Sequence, residues 1–377
     1  MNRTLAHLFI ILLLASVYSA IGQSQAAADR EVAARFAPIF YQALGEKPRS
    51  DYITNFDFDG DWRGDNNWEH TDNRNFHLLG YIYYAVSETR THYFIDYAVF
   101  HPRDYKGGSV KGVILSDLIR EGIKRGGDRD PTGLMAEATM AHENDMEGCL
   151  VVVAKNGKES ERARVVYVES LHHNTFSHYL AGESATRGFG SFKTEGERAL
   201  LYVEPKGHGI EAYSGDEKQT TGREVLIYKF SGKAEDPDQR KSDTIGYELL
   251  PIQTTLWPKA RIPVKAGSSS DLGSLPVSAS LTYGISHDYS TISIDLVQAN
   301  GSILSKKIKI GGIGSAFLGK TGGINMARPP WGWFDNNHSS DPLGIWFFDP
   351  ARIVKRDFNL GESFSTAYVR LPFWAEK

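Results

Sequence analysis

The sequence predicts a mainly β (α+β) fold, an antiparallel β-sandwich with peripheral helices, and three observations carry that expectation. Eight short runs are rich in Val, Ile, Tyr and Phe; turn signals separate them; and helical periodicity is confined to a few stretches. The chain has 377 residues, 12% of them aromatic and 41% apolar, enough for one large β domain with a full core.

The elements follow in order. The first residues, MNRTLAHLFIILLLASVYSAIGQ, place Arg3 before an apolar run from Leu8 to Val17. That run is about ten residues, whereas a bilayer span needs about twenty, so residues 1–22 read as a signal peptide and not a membrane anchor. Cleavage is expected after Gly22 or near Ala26, leaving 29–377 as a single exported β-sandwich domain with long loops, secreted or periplasmic. Residues 29–42 have the pattern of a short amphipathic helix, capped by Asp29 and ended or kinked by Pro38. Strands are then expected at 81–88 and 92–100 as a hairpin, and at 149–154, 165–170, 199–204 and 223–230. Two helices are expected between Asp104 and His142, one around Leu115, Leu118, Ile119 and Ile123, the other around Leu134, Met135, Ala138 and Ala141. Near the carboxyl end, strands at 292–297 and 303–310 flank Asn300-Gly301, the signal of a two-residue type I′ hairpin. The polar stretches 231–244 and 265–274 read as exposed loops.

Composition excludes several functions. A net charge of −4 gives no basis for nucleic-acid binding. No G-x-S-x-G elbow, P-loop or dinucleotide fingerprint occurs, which argues against serine nucleophiles and nucleotide chemistry. Cys149 is the one cysteine, so no internal disulfide forms, and its apolar neighbours make it a buried thiol.

The segment AHENDMEGCLVVVA (141–154) carries the chemistry. It offers His142, Asp145 and Glu147 immediately before an apolar strand. On one continuous helix Glu147 points away from His142 and Asp145; with a break near Asn144, Asp145 and Glu147 are two apart on a strand and share a face. Together with Asp104 these residues concentrate three carboxylates and an imidazole. A divalent cation would relieve their repulsion: Ca²⁺, Mg²⁺ or Mn²⁺ by the oxygen-rich donor set, with Zn²⁺ admitted by the imidazole. The alternative is a salt-bridged loop in which His142 pairs with a carboxylate.

Phe100-His101-Pro102-Arg103-Asp104, followed by His142-x-x-Asp145-x-Glu147 and a Val-rich strand, resembles the necrosis-inducing protein family of microbial cytolysins. The family signature is an aromatic-x-Pro-basic-Asp segment, then Gly-His-Arg-His-Asp-Trp-Glu. The resemblance implies that Asp104, His142, Asp145 and Glu147 ligate a divalent cation. Asn144 and Met146 depart from the signature's second His and its Trp, and the segment between Asp104 and His142 is much longer. Beyond about residue 155, Lys206-Gly207-His208-Gly209, Tyr247-Glu248-Leu249-Leu250 and Pro329-Pro330-Trp331-Gly332-Trp333 resemble vacuolar-protein-sorting-like proteins of unknown activity.

Nine of the twelve histidines lie between residues 70 and 208, a concentration that suits a site. His173, in LHHNTFSH after a strand, and His208, in KGHG, are the candidates for a general acid or base. The acid-rich stretch 55–70 is not an EF-hand, since Trp62 and Trp68 occupy the positions that need Gly and Glu. It reads instead as a strand burying Phe56 and Phe58. Trp62, Trp68, Trp331 and Trp333 are candidates for an aromatic binding rim or for core packing. Two functions follow: an exported cation-dependent protein recognising a glycan or lipid head group, or a metal-dependent hydrolase acting on a small substrate through a metal-activated water and a nearby His.

Overall fold

The structure is a computed structural model that describes residues 24–105, 142–155, 163–182, 189–260, 292–308 and 317–372, apart from a few positions inside these spans, together with Ile114, Asp117 and Leu118. The expected signal peptide, the 265–274 loop, the second of the two expected helices and most of the first lie outside the described residues. Among the described residues no helix is long and apolar enough to cross a membrane.

A helix over 24–36 opens the fold and buries Ala33 and Phe36. It ends earlier than expected, and Asp29 lies inside it, paired with Arg370 at 2.8 Å, and does not cap its start. Pro38 disfavours helical backbone at the residue before it, and Ile39–Ala43 continues as strand β1. The chain turns there because β1 inserts between two other strands, and tertiary pairing outweighs the helical reading of 37–42. Two tyrosine hydroxyls complete the junction: Tyr97 donates to the Ala33 carbonyl at 2.7 Å and Tyr247 to that of Pro38 at 2.6 Å.

The remaining strands are β2 (Tyr81–Thr89), β3 (His92–Asp104), β4 (His142–Ala154), β5 (Arg164–His172), β6 (Thr175–Ala181), β7 (Gly190–Phe192), β8 (Thr194–Glu195), β9 (Arg198–Val203), β10 (Ile210–Ala212), β11 (Val225–Phe230), β12 (Thr244–Pro251), β13 (Ile292–Val297), β14 (Ile303–Ile308), β15 (Leu318–Gly319), β16 (Gly322–Met326) and β17 (Tyr368–Arg370). Strands β2 to β6 form an antiparallel meander. The whole sheet has the order β10-β9-β1-β11-β12-β2-β3-β4-β5-β6-β7.

This is one mixed sheet and not the antiparallel sandwich expected. Strands β1 and β9, β11 and β12, and β12 and β2 pair in parallel. The polar stretch after β11, expected as an exposed loop, is largely exposed and is also the crossover between β11 and β12; a parallel pair needs a connection of about a dozen residues. The sheet also nearly closes on itself: β10 returns to β5, where the Ser170 hydroxyl donates to the Ile210 carbonyl at 2.6 Å. Strands β3 and β4 are buried along almost their whole length, mainly apolar where they pair through 93–100 and 146–153 and polar at the end that carries Arg103, Asp104, His142 and Asp145.

The carboxyl-terminal segment packs against β4. Trp331 and Trp333 are buried, and the Trp333 indole N–H donates to the Met146 carbonyl at 3.2 Å. Gly148 makes room for this: a Cβ there would lie 2.2 Å from Trp333 Cη2 and 2.4 Å from the Tyr97 carbonyl oxygen. One contiguous apolar cluster runs from Ala33 to Leu371. The hairpin β13–β14 differs from expectation in its turn: Gly301 has positive φ while Asn300 does not, and Gly301 N–H and Gln298 N–H donate at 2.8 Å to Gln298 and Ser302. That is a three-residue loop, a type I turn followed by a left-handed glycine.

Candidate metal centre

Strands β3 and β4 run in register to a common end, where Val99 faces Glu147, His101 faces Asp145, Arg103 faces Glu143 and Asp104 faces His142. His142 is therefore on a strand and not at a helix end as expected. The break at Asn144 takes the form of a kink inside the strand, with φ of 62°. The pairing of β3 and β4 keeps one register through the kink, and the charge of His142 reaches Asp145; among the described residues no three of Asp104, His142, Asp145 and Glu147 bring their donor atoms within 4.8 Å of one another. Asn144 is pinned from outside by the acidic stretch: its amide donates to the Gly64 carbonyl, and the Asn67 amide donates to its Oδ1, both at 2.7 Å.

His142 and Asp104 touch directly, Nε2 to Oδ2 at 3.2 Å, while His142 Nδ1 lies 3.0 Å from the Glu143 carbonyl and so carries the proton. Asp145 is held on the other side by His208, whose Nδ1 is 2.9 Å from Asp145 Oδ2 and whose Nε2 is 3.2 Å from Asp51 Oδ1. Asp51 also accepts from the backbone N–H groups of Gly45 and Lys206, each at 2.7 Å. The His208 ring stacks on that of His101, centroids 3.7 Å apart, and His101 Nε2 meets Gln42 Oε1 at 2.8 Å.

The electrostatics follow from burial and pairing. Burial opposes charge on His208, yet Asp145 and Asp51 raise it to about 9, so it is a cation at neutral pH. Burial would raise the Asp145 carboxyl, but the hydrogen bond and charge of His208, with His142 and His101, hold it below the ordinary carboxylate range. His101 goes the other way: burial, then the charge of His208, pushes it well below the usual imidazole value. Glu147 is raised well above the ordinary range by burial and by the charges of Asp145, Asp104 and Glu204, against an opposing effect of Arg328. Asp104 Oδ1 and Glu147 Oε2 are buried with no hydrogen-bond partner among the described residues. Buried carboxylate oxygens without partners are costly unless something positive completes them.

A second group lies beside this one. His172 Nε2 is 3.3 Å and His173 Nε2 3.5 Å from the same oxygen, Glu204 Oε2, and His172 Nδ1 is 3.0 Å from Glu211 Oε1. Hydrogen bonds to Glu204 and Glu211 raise His172 to about 10, and the two histidines lower Glu204 to about 2. The four described non-glycine residues with positive φ are Asn144, His173, Lys206 and His208. All belong to these two groups or adjoin them, the pattern of backbone strain gathered at a functional site.

Of the residues singled out in the sequence, the structure joins Asp104 to His142 and Asp145 to His208, sets Glu147 in the field of Asp145 and Asp104, and puts His173 on Glu204. Sequence reasoning missed Asp51, Gln42, His101, Glu204 and Glu211 as participants. His101 stood inside the quoted motif, and Glu204 four residues before His208; Asp51 and Gln42 gave no signal. The stretch 55–70 is turns and a short helix, Asn67–Thr71, and not a strand, although Phe56 and Phe58 are buried as expected. Its acids are occupied locally: Asp59 meets His70 at 2.5 Å, and Asp61 accepts from Asn66 at 3.0 Å. Trp68 packs under buried Arg103, whose guanidinium lies 4.6 Å from its ring centre, so Trp68, Trp331 and Trp333 are packing residues and not a rim.

No family model matches this chain. No curated protein matches it either. Among solved structures it is similar to one described as a toxin fold for microbial attack and plant defense, at 11% identity and TM-score 0.22, over 37% of this chain and 47% of that one. It is similar to a necrosis and ethylene inducing protein from the causal agent of cocoa's witches' broom disease, at 11% identity and TM-score 0.22, over 46% and 51%. A third, described as NLPPya in complex with glucosamine, matches at 12% identity and TM-score 0.22, over 36% and 45%. The chain thus spans about half the length of these structures, and the likeness is partial and distant.

Proposed function

We propose that the sheet end formed by Asp104, His142, Asp145 and Glu147 holds a hard divalent cation, Ca²⁺, Mg²⁺ or Mn²⁺, and through it recognises a glycan or glycolipid head group outside the cell without breaking a bond. The observation that supports the cation is that two carboxylate oxygens, Asp104 Oδ1 and Glu147 Oε2, are buried without partners, with Glu147 in the field of Asp145 and Asp104. Bound there, the cation supplies the positive charge that these oxygens lack and positions open to sugar hydroxyls. His142 keeps its proton on Nδ1 and its Nε2 toward the site. His208 fixes Asp145 from behind. The glycan half of the reading rests on the sequence resemblance to the necrosis-inducing family.

The hydrolase reading is less well supported. His208, expected there as a general acid or base, is fully buried and held by two carboxylates, which suits it to positioning Asp145.

The test is equilibrium dialysis of the metal-free protein and of Glu147→Gln against Mn²⁺, followed by a glycan and glycolipid array with and without chelator. The expected result is Mn²⁺ binding weakened at least about 10-fold in the variant and array binding that disappears on chelation. Equal Mn²⁺ binding by the two proteins overturns the cation site. Chelator-sensitive cleavage of ester, phosphodiester or glycoside substrates, lost in His173→Ala, overturns the binding-only reading.

A further inference from the structure

Three groups of histidines and carboxylates in the described residues bring their donor atoms within 4.8 Å of one another: His101 with Asp145 and His208, Glu169 with His178 and Asp357, and His172 with His173 and Glu204. The first is fully buried, and its His208 already bridges the carboxylates of Asp145 and Asp51, so a cation there would displace an imidazole held at both nitrogens. In the second, both carboxylate oxygens of Asp357 accept from the Arg356 guanidinium at 2.5 and 2.8 Å, so its charge is already matched. The third is reachable from solvent, with the His173 side chain 55% exposed.

We propose that His172, His173 and Glu204 form a second cation site, selective for a borderline transition ion of the Zn²⁺ class and separate from the oxygen-rich site at Asp104 and Glu147. Both imidazole Nε2 atoms face one carboxylate oxygen, at 3.3 and 3.5 Å. A tetrahedral ion with bonds of about 2.0–2.1 Å has edges of about 3.3–3.4 Å, so these separations are those of ligands around a shared ion. The surroundings match a metal site as well. Glu211 Oε1 lies 3.0 Å from His172 Nδ1, which fixes the tautomer that leaves Nε2 free to ligate. Glycines seat both rings: a Cβ at Gly209 would lie 2.2 Å from His172 Cδ2, and one at Gly207 2.6 Å from His173 Cε1. The left-handed backbone at His173, φ 61°, turns the second imidazole toward the same carboxylate as the first.

The donor set decides the ion. Two imidazoles and one carboxylate favour Zn²⁺, Co²⁺ or Ni²⁺ over Ca²⁺ and Mg²⁺, whereas three carboxylates and one imidazole favour the hard ions. Three protein ligands leave the fourth tetrahedral position for water or a ligand from solution. The two sites are neighbours, because the charge of Glu204 is felt at Glu147.

The experiment uses the full chain freed of metal and titrated with Co²⁺ alone, then with Zn²⁺ as competitor. Four-coordinate Co²⁺ absorbs strongly in the visible, and six-coordinate Co²⁺ only weakly. The expected result is one equivalent of strongly absorbing Co²⁺, displaced by Zn²⁺, with the band abolished in His173→Ala and in His172→Ala. Glu211→Gln is expected to retain the band with affinity weakened roughly 10–100-fold, as for other carboxylates that support a ligating histidine. Glu147→Gln is expected to keep the band while losing Mn²⁺, so the two sites fail separately. Far-UV circular dichroism checks that His173→Ala, at a half-exposed position, remains folded. Absence of a strong band in the parent protein overturns the proposal. So does a band that persists in folded His173→Ala, or one lost in Glu147→Gln and kept in both histidine variants.

Discussion

His208→Asn separates the charge of His208 from its backbone. Position 208 has φ of 53°, a conformation that asparagine accepts better than most residues, so the substitution adds little strain. It removes the cation that sits 2.9 Å from Asp145 and 3.2 Å from Asp51, all three side chains being buried. Asp51 keeps two backbone donors, Gly45 and Lys206. Asp145 loses the partner that holds it ionised. Two charge-assisted hydrogen bonds are each worth about 1.5–3 kcal/mol, and removing one member of a buried ion pair costs about 3–5 kcal/mol. The expected loss of stability is therefore about 3–5 kcal/mol at pH 7. Urea denaturation followed by tryptophan fluorescence and by circular dichroism measures it. A double-mutant cycle with Asp51→Asn should return a coupling of about 1–3 kcal/mol, because the two residues share one hydrogen bond. A loss below about 1 kcal/mol in His208→Asn, with native structure retained, refutes the argument that His208 holds the two carboxylates.

Three further outcomes are expected. Gly148→Ala forces a Cβ to within 2.4 Å of the Tyr97 carbonyl oxygen and onto the Trp333 ring, so it should lose about 3 kcal/mol in urea melts and shift tryptophan emission. Asn144→Gly and Asn144→Ala both lose the side-chain bonds to Gly64 and Asn67, but only alanine is strained at φ 62°; thermal melts should place the alanine variant about 1 kcal/mol below the glycine variant. His92 is lowered to about 4 by burial and then by the charge of Lys155, so the unfolded chain takes up its proton first as pH falls from 6.5. This group should cost the fold about 2 kcal/mol between pH 6.5 and 4, after allowance for its partial hydration, and His92→Phe should show a correspondingly flatter acid limb in stability against pH.

The sequence by itself located eight of the described strands. The runs at 81–88, 92–100, 149–154 and 165–170 all lie in strands, because β-branched and aromatic residues fit a pleated surface whatever the pairing. Asp104, His142, Asp145 and Glu147, singled out in the sequence, fall on the paired strands β3 and β4, which is placement and not chemistry. Tertiary structure decided how the strands join. That the exposed stretch 231–243 is also a parallel crossover depends on which strand β12 meets, and local pattern does not carry that information. The same holds for 39–43, where pairing with β9 and β11 displaced a helical reading. The break at Asn144 was legible as a geometric requirement, but its form as a left-handed kink was not. It depends on Gly64 and Asn67, some eighty residues earlier in the chain, supplying partners for the side chain. Asp51 and Gln42 were invisible for a like reason: each is an ordinary polar residue until the fold sets it against His208 or His101 in a space without water. Residue types fix which groups can ionise or ligate; burial and distance, set by contacts remote in sequence, fix which of them are charged and what they face.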